Sequence, residues 1–503
     1  MTSTSPQTPY VIAVIGAGPS GIYATEALTQ VSDVAVEVVV IDRLPTPFGL
    51  VRYGVAPDHP SIRSVRNTLE RSLTKDNVTF FGDVTIGRDL TVEELRSCVD
   101  VCIFAFGAAT SRRLELDGED AVGSISAPDF VAWYTGNPDQ HPDTPPAVHP
   151  PTDRPAASPV VPAGELLDGA RSAVVIGAGN VALDVTRILI KDADELASTD
   201  MADDVLQALR RKEITDVHLL ARRGPNGTTM TTKELRELGR ITECGVIITP
   251  DDIDWDAEEQ GAEGRIAERN LTEFLTWHRT PPQQARRRIH LHFWSSVSDI
   301  LVTDGRVRGV RVADTRPDHD RTLELDADLV VRAIGYRGVP LPGLPFDSAT
   351  GRVPHHEGRV LSPDQAGVTR TVTGSYVTGW IKRGPTGVIG TNKSDATETV
   401  QSLLHDIDEG DFTPAHPDGL QQLITLLHQR GITPLEILDW QRIDAVEVDH
   451  GHASGRERAT LAHRSQLLAA ASEHPSPEGA ETQSDDDDQH HDPDRRSVES
   501  SVE

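Results

Sequence analysis

Two short glycine-rich runs in one chain, Gly16-Ala17-Gly18-Pro19-Ser20-Gly21 and Gly177-Ala178-Gly179-Asn180-Val181-Ala182, have the composition of backbone cradles for a pyrophosphate. In such a turn the first glycine permits the tight bend and the second lets the main chain approach phosphate. The third small residue lets the following helix pack close to its strand. The unpaired N–H groups at the helix start, with the positive end of its dipole, then face the anion. One such run alone is a weak sign. Here each follows an apolar, β-rich stretch (Val11-Ile12-Ala13-Val14-Ile15 and Ala173-Val174-Val175-Ile176) and precedes a helix-like segment, so the pair implies two dinucleotides in one protein.

The residues beyond each turn distinguish the two ligands. After the first, Val36-Glu37-Val38-Val39-Val40-Ile41 ends at Asp42, an acid at the spacing that binds ribose hydroxyls and would repel a 2′-phosphate. After the second, Asp216-Val217-His218-Leu219-Leu220 runs into Ala221-Arg222-Arg223, and guanidinium groups donate paired hydrogen bonds to phosphate. FAD is therefore expected at the first turn and NADPH at the second. The interval from Ala182 to Arg222 exceeds the customary figure of about twenty residues, which predicts a lengthened helix and an inserted segment.

The elements that hold these turns set the organisation. Residues 1–110 read as the first part of an FAD-binding domain, running to the apolar strand Val101-Cys102-Ile103-Phe104 and the close-approach run Gly107-Ala108-Ala109. Residues 111–164 form a connection, proline-crowded from Asn137 to Gly164 and expected to be an extended surface loop. Residues 165–335 make the NADP-binding domain, and 336–471, with Thr378-Gly379-Trp380, return to the FAD domain. The fold class is α/β, with two Rossmann-like domains, the NADP domain inserted into the FAD domain. Residues 472–503, with Asp485-Asp486-Asp487-Asp488, cannot offset their ordering entropy and are expected to be disordered. His490 and His491 beside them read as part of a solvated tail.

Composition excludes several classes. A formal charge of −30 over 503 residues argues against nucleic acid as a partner. The apolar stretches are strand-sized, and the N-terminus lacks a basic-then-apolar secretory pattern, so no membrane insertion and a cytoplasmic location are expected. Cys98, Cys102 and Cys244 are too few for a disulfide framework or an iron–sulfur cluster, and no metal is expected.

Three longer stretches are far more selective than the turns. They are Asp42-Arg43-Leu44-Pro45-Thr46-Pro47-Phe48-Gly49-Leu50-Val51-Arg52-Tyr53-Gly54-Val55-Ala56-Pro57-Asp58-His59-Pro60, then Gly179-Asn180-Val181-Ala182-Leu183-Asp184-Val185, and Gly379-Trp380-Ile381-Lys382-Arg383-Gly384-Pro385-Thr386-Gly387-Val388-Ile389-Gly390-Thr391-Asn392-Lys393. Over approximately residues 10–470 the chain resembles the adrenodoxin reductase family, including its bacterial ferredoxin–NADP reductases. The resemblance implies a glutathione-reductase-like fold, oxidation of NADPH, FAD as intermediate carrier, and delivery of single electrons to a ferredoxin, with cytochrome P450-type oxidases as possible consumers downstream. Asp42 departs from the family's usual glutamate, and the acidic tail has no family counterpart.

The resemblance also implies site residues. His59 and Glu237, with Asp184, are the catalytic candidates, expected to orient nicotinamide, hold the domains together or move the proton of flavin reoxidation; hydride transfer itself needs no general base. Gly16, Ala17, Gly18, Pro19, Ser20, Gly21, Asp42, Leu50, Val84, Trp380, Gly387, Val388 and Ile389 are expected around FAD. Ala178, Gly179, Asn180, Val181, Arg222, Arg223 and Glu234 are expected around NADP. Backbone donors before the helix near Thr391-Asn392 would suit an anionic reduced flavin. Arg286-Arg287-Arg288 and Lys382-Arg383 could meet an acidic ferredoxin, or be ordinary solvated charge. The alternative function is an NADPH diaphorase or quinone reductase using the same flavin. A subunit like the small chain of glutamate synthase would need cysteine clusters that this sequence lacks.

Overall fold

The structure, a computed structural model, describes residues 8–141, 161–280, 285–364 and 367–473. Most of the proline-rich loop and nearly all of the acidic tail lie outside these residues.

Two sheets carry the α/β fold. The first has seven strands in the order His355–His356, Arg359–Pro363, Thr369–Val377, Val101–Phe104, Tyr10–Ile15, Val36–Ile41, Val78–Phe81. Its last five strands are parallel, and the first two pair antiparallel at one edge. Strands buried on both faces require continuous apolar runs, and the run Val11 to Ile15 meets that need. Ile12 and Val14 pack with Val38 and Val40 on one side, while Val11, Ala13 and Ile15 pack with Val39 and Ile41 on the other. The return of the chain after the second unit is visible in the strand Thr369–Val377, which lies against Val101–Phe104.

The second sheet has six parallel strands in the order Ser124–Ser126, Leu329–Arg332, Ser172–Ile176, Asp216–Leu220, Arg287–His292, Cys244–Thr249. Ala173 and Val175 face a helical layer, whereas Val174 and Ile176 face an antiparallel meander of Ser295–Thr303, Arg306–Asp314 and Thr322–Asp326. In both sheets the strand before the glycine turn is flanked by chain order running in opposite directions. The carboxyl end of such a switch point opens a ligand crevice.

Two expectations need correction. The helix after the second turn, Asn180–Ile190, has 11 residues, the same as Pro19–Thr29 after the first, so it is not lengthened. The long interval is filled instead by two added helices, Ala193–Leu196 and Asp203–Arg211, which bury Leu196, Val205 and Leu209. Residues 111–141 are also more than a connection: Ser124–Ser126 is a strand of the second sheet, and Phe130 and Trp133 of the helix Ala127–Tyr134 join its core. A three-residue strand has no periodicity to reveal it.

Candidate active site

Both glycine turns have the geometry of phosphate cradles. Gly16 has φ 112° and Gly177 φ 128°, in the region closed to L side chains. A Cβ there would fall 2.6 Å from the Ala105 carbonyl oxygen and 2.3 Å from that of Ala333, respectively. The second glycine of each turn faces open space. The nearest atoms to a Cβ on Gly18 and Gly179 are 3.9 and 3.8 Å away. Those two residues cap the helices Pro19–Thr29 and Asn180–Ile190 with no side-chain hydrogen bond and no acid in the first turn. Helix-start N–H groups left open in this way fit an incoming pyrophosphate, so the chain suits two dinucleotides.

The residues around the first cradle are tightly fixed. Asp42 is half-buried, and its Oδ2 accepts from Ala17 N at 2.7 Å while Oδ1 accepts from Leu44 N at 2.9 Å. Burial pushes this carboxyl up from its ordinary value, against the lowering effect of the two N–H donors. The aspartate is thus drawn onto the turn itself, and a ribose would meet the remaining lone pairs of its oxygens. Val84 donates its N–H to the Asp42 carbonyl at 3.0 Å, and Leu50 starts a short helix at 36% exposure.

The returning segment closes over this cradle. Ser20 Oγ donates to Asn392 Oδ1 at 2.8 Å, joining the first turn to the helix Thr391–Asp408. Gly379 N–H is held by Asp395 Oδ2 at 2.6 Å, and Trp380 follows it. Gly387-Val388-Ile389 leads to the uncapped start of that long helix. Val388 there is 70% exposed.

The second cradle differs. Arg222 and Arg223 follow its second strand, are exposed, and have no side-chain hydrogen bond or ion pair among the described residues. Asn180 Oδ1 accepts from Thr231 N at 2.9 Å, tying the cradle to the helix Thr232–Leu238 that carries Glu234 and Glu237.

Between the cradles lies a buried ionic cluster, which brings His59, Asp184, Glu234 and Glu237 together. His59 Nε2 stands 3.5 Å from Asp184 Oδ1, 3.0 Å from Glu234 Oε2 and 3.6 Å from Glu237 Oε2. At the centre is Arg187, with a side chain 0% exposed. Its guanidinium grips Asp58 with two bonds of 3.0 Å and reaches Asp184 at 2.9 Å, Glu234 at 3.2 Å and Glu237 at 3.5 Å. Lys191 Nζ adds a bond to Asp58 at 2.9 Å. Asp58 and His59 come from the first unit, the rest from the inserted one.

Burial alone would lower the His59 pKa. Hydrogen bonds to Asp184 and Glu234 nevertheless push it up to about 9, despite the charge of Arg187. Against the same burial, Arg187 holds the Asp58 carboxyl well below the usual carboxylate range. The imidazolium is therefore the favoured form. The contact between Arg187 Nη2 and His59 Nε2 is a hydrogen bond only when the ring is neutral. Trp380 packs on Tyr336 with ring centroids 5.2 Å apart, and the Tyr336 phenol is pushed up by burial and then by the Asp184 charge.

Arg187 is absent from the residues marked by sequence. Its signal was available: it sits four residues after Leu183 and three before Ile190, on a stripe that is otherwise apolar and buried. The basic runs also read differently in the structure. Arg287 is buried, donating to the Ile190 and Thr242 carbonyls, and Lys382 is buried against Asp395 and Glu398. Arg383 is committed to Asp395 and Asn392, and Arg288 pairs with Asp216. Arg286 and Arg288 of these five are exposed, with side chains 69% and 49% open to solvent, while Arg287, Lys382 and Arg383 hold the fold together.

The geometry has parallels in known proteins. A family model described as pyridine nucleotide-disulphide oxidoreductase matches residues 10–232. The NADPH-ferredoxin reductase FprA of Mycobacterium tuberculosis is 39% identical over 485 residues, covering 92% of this chain and 98% of that protein. The mitochondrial NADPH:adrenodoxin oxidoreductase of Arabidopsis thaliana is 36% identical over 495 residues, covering 93% of this chain and 97% of that protein. The solved structure of Mycobacterium tuberculosis FprA in complex with NADPH superposes with a TM-score of 0.78 at 37% identity, over 92% of this chain and 99% of that one.

Proposed function

We propose, since this chain belongs to the adrenodoxin reductase family of NADPH–ferredoxin reductases, that it is an FAD-dependent oxidoreductase that oxidises NADPH and passes single electrons to a ferredoxin, a small iron–sulfur protein. The observation that carries this reading is the contrast between two similar cradles: a half-buried, backbone-bonded Asp42 beside one, and beside the other two exposed arginines unpaired among the described residues. When bound, FAD accepts two electrons as hydride and returns them singly, which a one-electron acceptor requires.

The chain's own residues then have distinct tasks. Gly16 to Gly21 and Asp42, with Val84 and Leu50, hold the adenosine diphosphate part of FAD, and Trp380 with Gly387 to Ile389 holds the ring. Ala178 to Val181 take the NADPH pyrophosphate, and Arg222 and Arg223 take its 2′-phosphate. His59, Asp184, Glu234 and Glu237 position the nicotinamide and keep the two units in register; Arg187 holds those four side chains in place. The domain limits follow the same logic: 1–110 and 336–471 for FAD, 165–335 for NADP, with strand Ser124–Ser126 of the intervening stretch docked on the latter. Three free thiols and the lack of any membrane-spanning helix among the described residues support a cytoplasmic location.

The test is anaerobic mixing of the holoprotein with NADPH and then with a panel of ferredoxins, following flavin bleaching and reoxidation. Bleaching followed by fast reoxidation by at least one ferredoxin is expected. The exposure of Val388 favours a second reading, in which a quinone or other small acceptor reaches the flavin directly. Rapid turnover with quinones and none with any ferredoxin would select it.

A further inference from the structure

Away from both cradles, two histidines from distant parts of the chain converge on one carboxylate oxygen. His141 follows the short turn Pro138–Gln140, Asp204 lies in the first turn of the added helix Asp203–Arg211, and His463 caps the helix Arg464–Ser472. Asp204 Oδ1 is occupied, accepting from Val205 N at 2.8 Å. Its Oδ2 faces His141 Nδ1 at 3.1 Å and His463 Nε2 at 3.2 Å. The two imidazole rings lie 5.0 Å apart between centroids, and one donor atom from each of the three residues falls within 4.8 Å of the others.

We propose that His141, Asp204 and His463 form a structural site for a divalent transition metal, zinc above all, which straps the inserted nucleotide unit to the C-terminal part of the first unit.

Three observations support the site. Metal–ligand bonds of about 2.0–2.1 Å in a tetrahedron require donor atoms about 3.3 Å apart, and both contacts to Oδ2 come within about 0.2 Å of that edge. A plain histidine–aspartate hydrogen bond elsewhere in the molecule, His290 Nε2 to Asp216 Oδ1, is shorter at 2.8 Å. Secondly, His141 is buried with Nδ1 turned toward Asp204, so the ligating nitrogen is already held in place, and a metal–nitrogen bond would anchor the buried ring more firmly than one long hydrogen bond. Thirdly, the side chains of Asp204 and His463 are partly open to solvent, which leaves an entry path and room for a water as fourth ligand.

Imidazole nitrogen with one carboxylate suits zinc or cobalt better than calcium or magnesium, which prefer oxygen. The other grouping of similar donors, His59 with Asp184 and Glu234, is unsuitable because the Arg187 guanidinium already fills its centre. The strap would reinforce an existing seam. Arg63 bonds Asp200 at 2.8 Å, Thr460 N bonds the Asp200 carbonyl at 3.0 Å, and Arg456 pairs with Asp203. A metal there would restrict rotation of the NADP unit against the FAD unit without touching either cradle.

The experiment uses full-length holoprotein freed of metal with a chelator, titrated with zinc against an indicator, alongside His463→Ala and Asp204→Asn. Wild type should bind one equivalent more than either variant, and zinc should raise its melting temperature but not theirs. Affinity at that site should fall by at least the ~100-fold that loss of a supporting group alone can cost. Cobalt should give wild type, but not the variants, a tetrahedral absorption band beyond the flavin spectrum. This readout on wild type stands even if one variant fails to retain FAD. Equal zinc stoichiometry in all three proteins, as tail histidines would produce, or no cobalt band in wild type, would overturn the proposal.

Discussion

The two glycine turns share a backbone and differ in their surroundings. Both begin with a glycine at φ above 110° and end on a helix capped by a glycine with ψ 178°. Around the first, the protein satisfies its own polar groups: Asp42 is tied to Ala17 and Leu44, and Ser20 to Asn392. Around the second, Arg222 and Arg223 stay exposed and without partners among the described residues. A site completed by internal hydrogen bonds suits a ligand that stays, and one that keeps unpaired charge suits a ligand that comes and goes. Arg187 and its carboxylates link the two units that carry them.

Removing that link should have the largest effect. Arg187→Met leaves Asp58, Asp184, Glu234 and Glu237 facing one another with Lys191 and His59 as the only cations named in the cluster. Breaking a buried pair in this way costs about 3–5 kcal/mol, to be read from denaturant unfolding of the holoprotein. A loss below about 1 kcal/mol, typical of an exposed pair, would mean the two units are held elsewhere.

Next comes the pH response of the same link. The folded His59 pKa of about 9 lies above its ordinary 6.5, so its contribution is fully present below pH 6.5 and lost as pH rises through 9. The difference allows at most about 3 kcal/mol at about 1.36 kcal/mol per unit. His59→Ala should flatten that part of the stability profile. The same variant should slow flavin reduction by NADPH while keeping its FAD, as stopped-flow absorbance would show; wild-type rates in both half-reactions would remove His59 from the site.

The open cradle supplies the third prediction. Arg222→Ala or Arg223→Ala should each weaken NADPH by about 1.5–3 kcal/mol, roughly tenfold or more in KM, while NADH is little changed. Equal losses for both nucleotides would make the pair structural and erase the contrast. The smallest effect belongs to the closed cradle. Asp42→Glu gives up two backbone hydrogen bonds but reaches further toward a ribose, so FAD affinity of reconstituted protein should shift by less than about tenfold. A larger loss would show that the bonds to Ala17 and Leu44 shape the turn.

The sequence by itself determined both strand–turn–helix units, the difference between Asp42 and the Arg222-Arg223 pair, and the return of the chain near Gly379. Each is written in contiguous residues, where apolar runs and glycines act on neighbours through the backbone. The fate of the basic runs was not legible, because Arg287 is buried against carbonyls 97 and 45 residues away and Lys382 against carboxylates of the next helix, which packs back on it only in the folded chain. The added helices were expected only as an unspecified insertion. Tertiary structure alone decided the cluster between the cradles, bringing Asp58 and His59 within reach of side chains more than a hundred residues away, at 184, 187, 234 and 237. Arg187 gained its role there for a physical reason: a guanidinium on an apolar helix stripe can be buried only where another part of the fold supplies carboxylates to meet it.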